Sequence, residues 1–190
     1  MAENRNLLCA NIENAAGHLR PRGLEKLEIQ GNVKAWLAKG FRIADRRHPL
    51  LDGQGAFLNG GRWNSKGRRV IYSSETYAGA LLEILAHANI GRVPKTQAWI
   101  EIRFPEALKI EEVTAADVPG WNADDMVASR AYGDRWLEER RTAVLVVPSM
   151  VTAGIERNVV INQDHPDFAL LESSEPQEVA WDARLFGTQR

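Results

Sequence analysis

A stretch from Gly60 to Ala88 combines residue types that could bind an anion with one that could stabilise a developing positive charge. It opens with two glycines, an arginine and a tryptophan, and it ends in an apolar helix that carries Glu83. Glycines let a backbone approach a ligand closely, and arginine can hold a phosphate through two parallel hydrogen bonds. Between Gly53 and Ser74 there is no acidic residue, and the basic ones are Arg62, Lys66, Arg68 and Arg69. This local positive field favours an anionic ligand, although an ordinary basic surface loop has the same composition.

Glu83 lies on a narrow strip of the predicted helix. Tyr77, Leu81 and Leu85 form an apolar stripe at a spacing of four residues, which is typical of the packed face of a helix. The strip that carries the carboxylate is made of Thr76, Gly79, Ala80 and His87. Because most of these neighbours are small, there is open space beside the carboxylate. Two interpretations remain open, a solvent-facing glutamate and a glutamate in the wall of a cleft.

The elements that must position these residues follow from periodicity. Val70–Ser73 is a predicted strand, and Ser73 or Ser74 offers an N-cap for the helix. Apolar and polar residues alternate over Gln97–Phe104, which predicts a strand, and the apolar run Ala143–Val147 predicts a strand buried on both faces. Further strands are expected at Phe41–Ala44, Leu108–Val113, Asn158–Ile161 and, at an edge, Val179–Leu185. A helix is expected at residues 124–141, although Gly133 lowers its helix propensity.

Length and composition restrict the class of protein. At 190 residues the chain predicts one folded domain over residues 41–190, preceded by a helical extension over residues 1–40. The net charge of −1 argues against a general nucleic-acid-binding protein. Cys9 is the single cysteine, which excludes an internal disulfide and fits the cytoplasm. We see no signal peptide and no run of about 18 apolar residues, so we expect no membrane span.

Two kinds of active site have the right residue types but the wrong spacing. A serine hydrolase would combine Ser149 and His165 with Asp164 or Asp167, yet the surrounding VVPSMVT has no glycines for a nucleophile elbow. A metal site would need ligands from scattered histidines, namely His48, His87 and His165. These show no ligand spacing, and we expect no metal.

A third arrangement gives coherent chemistry around a phosphorylated nucleoside, and it uses Arg42, Arg62, Tyr72, Glu83 and Ser149. Cleavage of the bond between ribose and nicotinamide in NAD+ passes through an oxocarbenium-like transition state, which a buried carboxylate can stabilise. Nicotinamide leaves as a neutral base, so no second carboxylate is needed as an acid. In this interpretation the arginines hold the pyrophosphate, the tyrosine stacks on a ring and the serine orients a ribose or an amide.

The segments GGRWNSKGRRVIYSSETYAGALLEILAH, VVPSMV and INQDHPDF resemble the RES-domain toxins, a family named for its Arg, Glu and Ser residues. The resemblance runs from about Phe41 to Phe186. It implies a mixed α+β fold with a bent or split sheet and flanking helices, similar to ADP-ribosyltransferases. Carried over by position, the family residues fall on Arg42, Arg62, Tyr72, Glu83 and Ser149, with Arg62, Glu83 and Ser149 as the catalytic group.

The resemblance also implies an activity and a partner. Members of the family degrade NAD+ by hydrolysis or phosphorolysis, and some modify a protein target. They are bacterial toxins neutralised by an Xre-like helix-turn-helix antitoxin, so we expect a toxin–antitoxin hetero-oligomer. NAD+ would be the substrate, with no separate cofactor and no direct contact with nucleic acid or membrane. A domain of a different class, a non-catalytic interaction module, is the alternative.

Overall fold

The computed structural model describes residues 36–87 and 95–186. Within these ranges there are eight strands and three α-helices. The strands are β1 (Trp36–Asp45), β2 (Val70–Ser74), β3 (Gln97–Pro105), β4 (Ile110–Glu112), β5 (Val144–Pro148), β6 (Arg157–Asn162), β7 (Glu172–Ser173) and β8 (Gln177–Glu178). The α-helices are α1 (Gln54–Asn59), α2 (Tyr77–His87) and α3 (Val127–Glu138), and short 3-10 helices cover Pro166–Leu170 and Ala183–Phe186.

The strands form one open, mixed sheet in the order β4-β5-β6-β2-β1-β3-β7, with β8 also paired to β3. β4 and β5 are parallel, and the other pairs are antiparallel. β1 pairs with β3 along its length but meets β2 at one register pair, Phe41 opposite Ser74. The sheet therefore opens between β1 and β2. The predicted mixed α+β class, with a split sheet and flanking helices, is confirmed.

β5 is the buried centre of one half of the sheet, as its apolar run predicted. All five of its residues are buried. Val144 and Val146 pack into one apolar cluster with Ile161 of β6, and Leu145 and Val147 pack into another on the opposite face. Since side chains alternate along a strand, one continuous apolar run can supply both clusters. β3 shows the predicted alternation too, with Ala98, Ile100, Ile102 and Phe104 buried.

Several predicted boundaries are wrong at the ends of elements. β1 begins at Trp36, so residues 36–40 belong to the sheet rather than to a helical extension, and residues 1–35 lie outside the described ranges. Helix α1, which precedes Gly60, was not predicted from the sequence. The helix expected at 124–141 is limited to Val127–Glu138. The strand expected at Leu108–Val113 is limited to Ile110–Glu112.

The predicted edge strand at Val179–Leu185 is also wrong. The chain instead pairs briefly through β8, just before this segment, and then forms the 3-10 helix Ala183–Phe186. Val179 is buried and packs with Ile43 and Ala80, and Trp181 packs against the same cluster. The β-forming residues of this segment thus cover helix α2 and strand β1 instead of extending the sheet.

Helix α2 starts later than predicted. Ser73 and Ser74 remain in strand β2, where they pair with Val159 and Asn158 of β6. Thr76 takes the capping position, and its hydroxyl accepts a 2.9 Å hydrogen bond from the backbone N–H of Gly79. None of the helices in residues 36–87 and 95–186 has the length and apolar character of a membrane span.

Helix α3 packs directly on the segment Gly61–Asn64. A Cβ placed on Gly133 would overlap the backbone carbonyl of Trp63. Trp63 itself is buried, and its ring meets Tyr132 edge-on at a centroid distance of 6.3 Å. Gly133 lowers helix propensity, but it is the residue that lets the helix approach the loop backbone.

We expect Gly133→Ala to lower the free energy of unfolding by about 2–3 kcal/mol, because the added methyl must displace packed backbone. Gly55→Ala is the matched control, since its Cβ would meet no atom within 4 Å in helix α1. It should leave stability unchanged or raise it by up to about 1 kcal/mol. Urea denaturation of both variants measures the difference. Equal stabilities for the two variants would contradict the close approach of α3.

Candidate active site

A cavity of about 750 Å³ lies between the diverging strands β1 and β2, and it reaches helix α2 and the loop after α1. This volume falls within the range of about 300–1,000 Å³ that small-molecule sites occupy. Four of the five residues predicted for the site line it, namely Arg42, Arg62, Tyr72 and Glu83. The fifth, Ser149, is 2% exposed and contacts the carboxylate of Glu83.

Glu83 is held by two side-chain donors. Its Oε1 accepts a hydrogen bond of 3.1 Å from Ser149 Oγ and one of 2.6 Å from Asn158 Nδ2. Ser74 Oγ donates to Asn158 Oδ1 at 2.7 Å, which fixes the amide with its NH₂ toward the glutamate. Oε2 has no hydrogen-bond partner within residues 36–87 and 95–186, so it is available to a ligand.

The local fold explains why Glu83 faces inward. Gly79 and Ala80, one turn before it, are the buried residues of α2, so their strip of the helix lies against the sheet. Ser149 follows the end of β5 and Asn158 lies on β6, whose register places it opposite Val147. The carboxylate thus meets two neighbouring strands. Of the two interpretations of Glu83 from sequence, the cleft-wall one fits this geometry.

The segment Gly60–Asn64 forms a tight loop that presents Arg62 to the cavity. Gly60 has a φ of 70°, and the Gly61 N–H donates to the Asn64 carbonyl at 2.9 Å. Arg62 Nη1 donates to the carbonyls of Trp121 and Ala123, each at 2.9 Å. Its Nε and Nη2 have no partner among the described residues, which leaves these donors for a ligand.

Tyr72 supports this loop through its hydroxyl. The hydroxyl accepts from the Trp63 N–H at 3.0 Å and donates to Asn64 Oδ1 at 2.7 Å. A Cβ on Gly61 would lie 2.5 Å from the same oxygen, so only glycine fits there. Burial raises the pKa of Tyr72 above its ordinary value, so the hydroxyl is neutral and can donate. Tyr72 also lines the cavity.

Arg42 braces the opening of the sheet. Its Nε and Nη1 donate to the carbonyls of Leu50 and Tyr72 at 2.5 and 2.8 Å, and Nη2 reaches the Asp52 carbonyl at 3.4 Å. Burial lowers its pKa to about 10, an effect that the charge of Asp52 partly offsets. The guanidinium therefore stays protonated at neutral pH. Three of its five N–H groups hold backbone, which gives Arg42 a structural task besides its place in the cavity wall.

Two cavity residues carried no signal in the sequence. Asn158 begins a predicted strand, and a polar residue there is unremarkable until the register brings it to Glu83. Arg130 lies on α3 and donates through Nε to the carbonyl of Gly61 at 2.8 Å. Its helix is distant in sequence from the loop that it contacts, so neither periodicity nor spacing could identify it.

The residues of the two competing arrangements do not come together, although His87 also lines the cavity. His165 Nδ1 accepts from the Asp167 N–H at 3.1 Å, and its Nε2 lies 3.2 Å from the carbonyl of Arg140. Ser149 contacts Glu83 rather than His165, so no Ser-His-Asp triad forms. His48 is exposed, and His87 ends α2. Among the described residues, no group of three or more His, Cys, Asp or Glu side chains could hold a metal ion.

Comparison with known proteins identifies relatives over most of the chain. The RES domain family matches residues 39–182. The "Prs ADP-ribosylating toxin" of Sphingobium sp. is 34% identical over 139 residues, which cover 71% of this chain and 86% of that protein. "Toxin Res" of Pseudomonas putida is 31% identical over 72% of this chain and 92% of its own length. "Toxin Res" of Yersinia enterocolitica is 32% identical over 76% and 97%.

A solved structure has the same fold. It is a chain of the M. tuberculosis MbcT–MbcA toxin–antitoxin complex, with a TM-score of 0.61 and 19% sequence identity. The match covers 76% of this chain and 85% of that one. At this identity the likeness concerns the fold.

We expect Arg42→Gln to lower the free energy of unfolding by about 3 kcal/mol, because it leaves the Leu50 and Tyr72 carbonyls without their donors. The control is Arg46→Gln, a neighbouring exposed arginine, which should change stability by less than about 0.5 kcal/mol. Urea denaturation without ligand isolates the structural task from binding. An Arg42→Gln protein as stable as the control would show that the brace is dispensable.

Proposed function

The chain belongs to the RES domain family, and from this premise we propose that it is a toxin that cleaves NAD+ between nicotinamide and ribose. The observation that carries the proposal is the carboxylate of Glu83, held at Oε1 by Ser149 and Asn158 and open at Oε2 toward the cavity. NAD+ is the substrate in this proposal, and no separate cofactor or metal is needed.

The proposed reaction requires one fixed negative charge beside the ribose. As the bond from C1′ to the nicotinamide nitrogen breaks, its electron pair leaves with nicotinamide, and positive charge grows on the ribose. A carboxylate already oriented by two donors stabilises that charge without reorganising. Ser149 and Asn158 are then positioning residues, since they act through Glu83. An acceptor oxygen forms the new bond to C1′ and gives up its proton.

The charge of the cavity suits a dinucleotide. Arginines 42, 62 and 130 line it, and Glu83 is the one carboxylate among the described lining residues. The positive groups match the diphosphate of NAD+, and the volume of about 750 Å³ is large enough for a ligand of that class.

The identity of the acceptor defines a second candidate. Water or phosphate as acceptor gives a glycohydrolase or a phosphorylase, and a protein side chain gives an ADP-ribosyltransferase. The name of the Sphingobium relative, an ADP-ribosylating toxin, favours the transferase. Both reactions use the same bond cleavage, so the arrangement around Glu83 serves either.

We also propose that an antitoxin protein neutralises this chain, by a helix-turn-helix partner of the Xre-like class. Support comes from relatives that are named toxins and from a fold shared with a chain of a toxin–antitoxin complex. The pair would form a hetero-oligomer in the cytoplasm.

Purified protein should consume NAD+, and Glu83→Gln should lower the rate at least about 100-fold, because a neutral amide cannot stabilise the ribosyl cation. Asn158→Ala should cost less, about tenfold, since Ser149 still holds the carboxylate. Glu106→Gln, an exposed glutamate outside the cavity, is the matched control and should keep full activity.

Mass and NMR analysis of the products, with and without phosphate and with candidate protein acceptors, distinguishes the reactions. ADP-ribose, its 1″-phosphate or a mass increase on a protein identifies water, phosphate or a side chain as the acceptor. An unchanged NAD+ pool with wild-type protein under all three conditions would favour the non-catalytic interaction module.

Expression of the wild-type chain in bacteria should arrest growth and lower cellular NAD+, and Glu83→Gln should do neither. Co-expression of a helix-turn-helix protein encoded next to this chain should restore growth. Growth rate and NAD+ content, measured with matched protein levels, test the toxin assignment. Equal arrest by the wild type and Glu83→Gln would separate toxicity from the proposed chemistry.

A further inference from the structure

The arginines of the cavity differ from most others in their partners. Within the described residues, seven arginines form ion pairs with carboxylates at 4.0 Å or less, namely Arg47, Arg68, Arg69, Arg103, Arg141, Arg157 and Arg184. Arg42, Arg62 and Arg130 form none there, yet all three line the cavity. Cations gathered in a partly enclosed space without a carboxylate partner of their own favour an anionic ligand.

The three arginines are not equally available to that ligand. Arg42 gives three donors to backbone carbonyls, on Leu50, Asp52 and Tyr72. Arg62 uses Nη1 alone, which leaves Nε and Nη2 without a partner among the described residues. Arg62 therefore leaves more of its N–H groups for a ligand than Arg42 does.

Arg130 is the second available guanidinium. Nε is fixed by the Gly61 carbonyl at 2.8 Å, and Nη2 contacts the sulfur of Met126 at 3.3 Å, a weak acceptor. Nη1 has no partner within the described part of the chain. Since Arg130 is anchored to the residue beside Arg62, the same loop backbone positions both groups.

We propose that Arg130 and Arg62 together form the subsite for the diphosphate of a dinucleotide, in an inference that rests on the proposed function. Two guanidinium groups, each with donors left over, match the non-bridging oxygens of two linked phosphates. The ligand class is a nucleoside diphosphate with a second substituent, and Arg130 is a binding residue distant from the bond that breaks.

Calorimetry with ADP-ribose tests this subsite directly, because ADP-ribose keeps the diphosphate and lacks the reacting bond. Arg130→Gln should weaken ADP-ribose binding about 10- to 100-fold, the effect of losing a charge-assisted contact. The affinity of Arg130→Gln for adenosine, measured by NMR titration, should lie within about twofold of the wild-type value, because adenosine has no phosphate. Inorganic pyrophosphate should compete with ADP-ribose on the wild-type protein.

Two control variants separate charge from structure. Arg135→Gln removes the same charge from an exposed position of α3 outside the cavity and should change neither affinity. Asp134→Ala loosens the same loop, since Asp134 accepts from the Ser65 N–H and hydroxyl at 2.8 and 2.5 Å, but it removes no cation from the cavity. It should lower the melting temperature without changing the ratio of the two affinities.

The outcomes also separate this inference from the proposed reaction. In NAD+ cleavage, Arg130→Gln should raise KM more than it lowers kcat, because the diphosphate is bound alike in ground and transition states. If ADP-ribose binding depends on Arg130 but the protein does not cleave NAD+, the subsite is supported and the proposed reaction is wrong. Unchanged ADP-ribose affinity in Arg130→Gln, the same selective loss in Asp134→Ala, or no binding by wild type would overturn the subsite.

Discussion

A guanidinium takes the place of a strand ladder at the centre of this fold. β1 and β2 meet at one register pair, and Arg42 of β1 reaches across to the carbonyl of Tyr72 on β2. If the two strands paired fully, side chains and backbone would fill the space that the cavity occupies. If nothing linked them, buried carbonyls would lack donors. The opening in the sheet and the buried arginine that holds it are thus two aspects of one arrangement.

The remaining parts of the site are fixed from the two sides of this opening. On one side, α2 presents Glu83 to Ser149 and Asn158 on neighbouring strands. On the other, α3 holds the loop after α1 by three different contacts. Gly133 permits close approach, Arg130 binds the Gly61 carbonyl, and Asp134 binds Ser65. The acid and the cations are therefore positioned by separate elements, and hydrogen bonds hold the side chains in place, as a preorganised site requires.

The sequence predicted those features of the fold that local residue patterns determine. β3 alternates apolar and polar residues with a period of two, and β5 is a short, continuous apolar run. The small neighbours of Glu83 indicated open space beside its carboxylate. Tertiary pairing decided the rest. β6 keeps Ser74 in a strand although serine is a good N-cap, and the packing of Val179 on α2 removes an expected edge strand. Asn158 and Arg130 reach the site through contacts with elements far away in the chain. A single sequence does not show which distant segments lie close together, so it could not predict these contacts.

The apolar cluster beneath the opening has a consequence for motion. Ile71 of β2 and Ile102 of β3 belong to the same buried cluster, so the floor under the gap is continuous although the strands above it separate. Spreading the two half-sheets would expose that floor to water, which costs about 25 cal/mol for each Å² of apolar surface. The cavity therefore resists widening at its base. Any adjustment to the shape of an incoming molecule falls to the rim, where Met150 and Val151 follow the end of β5.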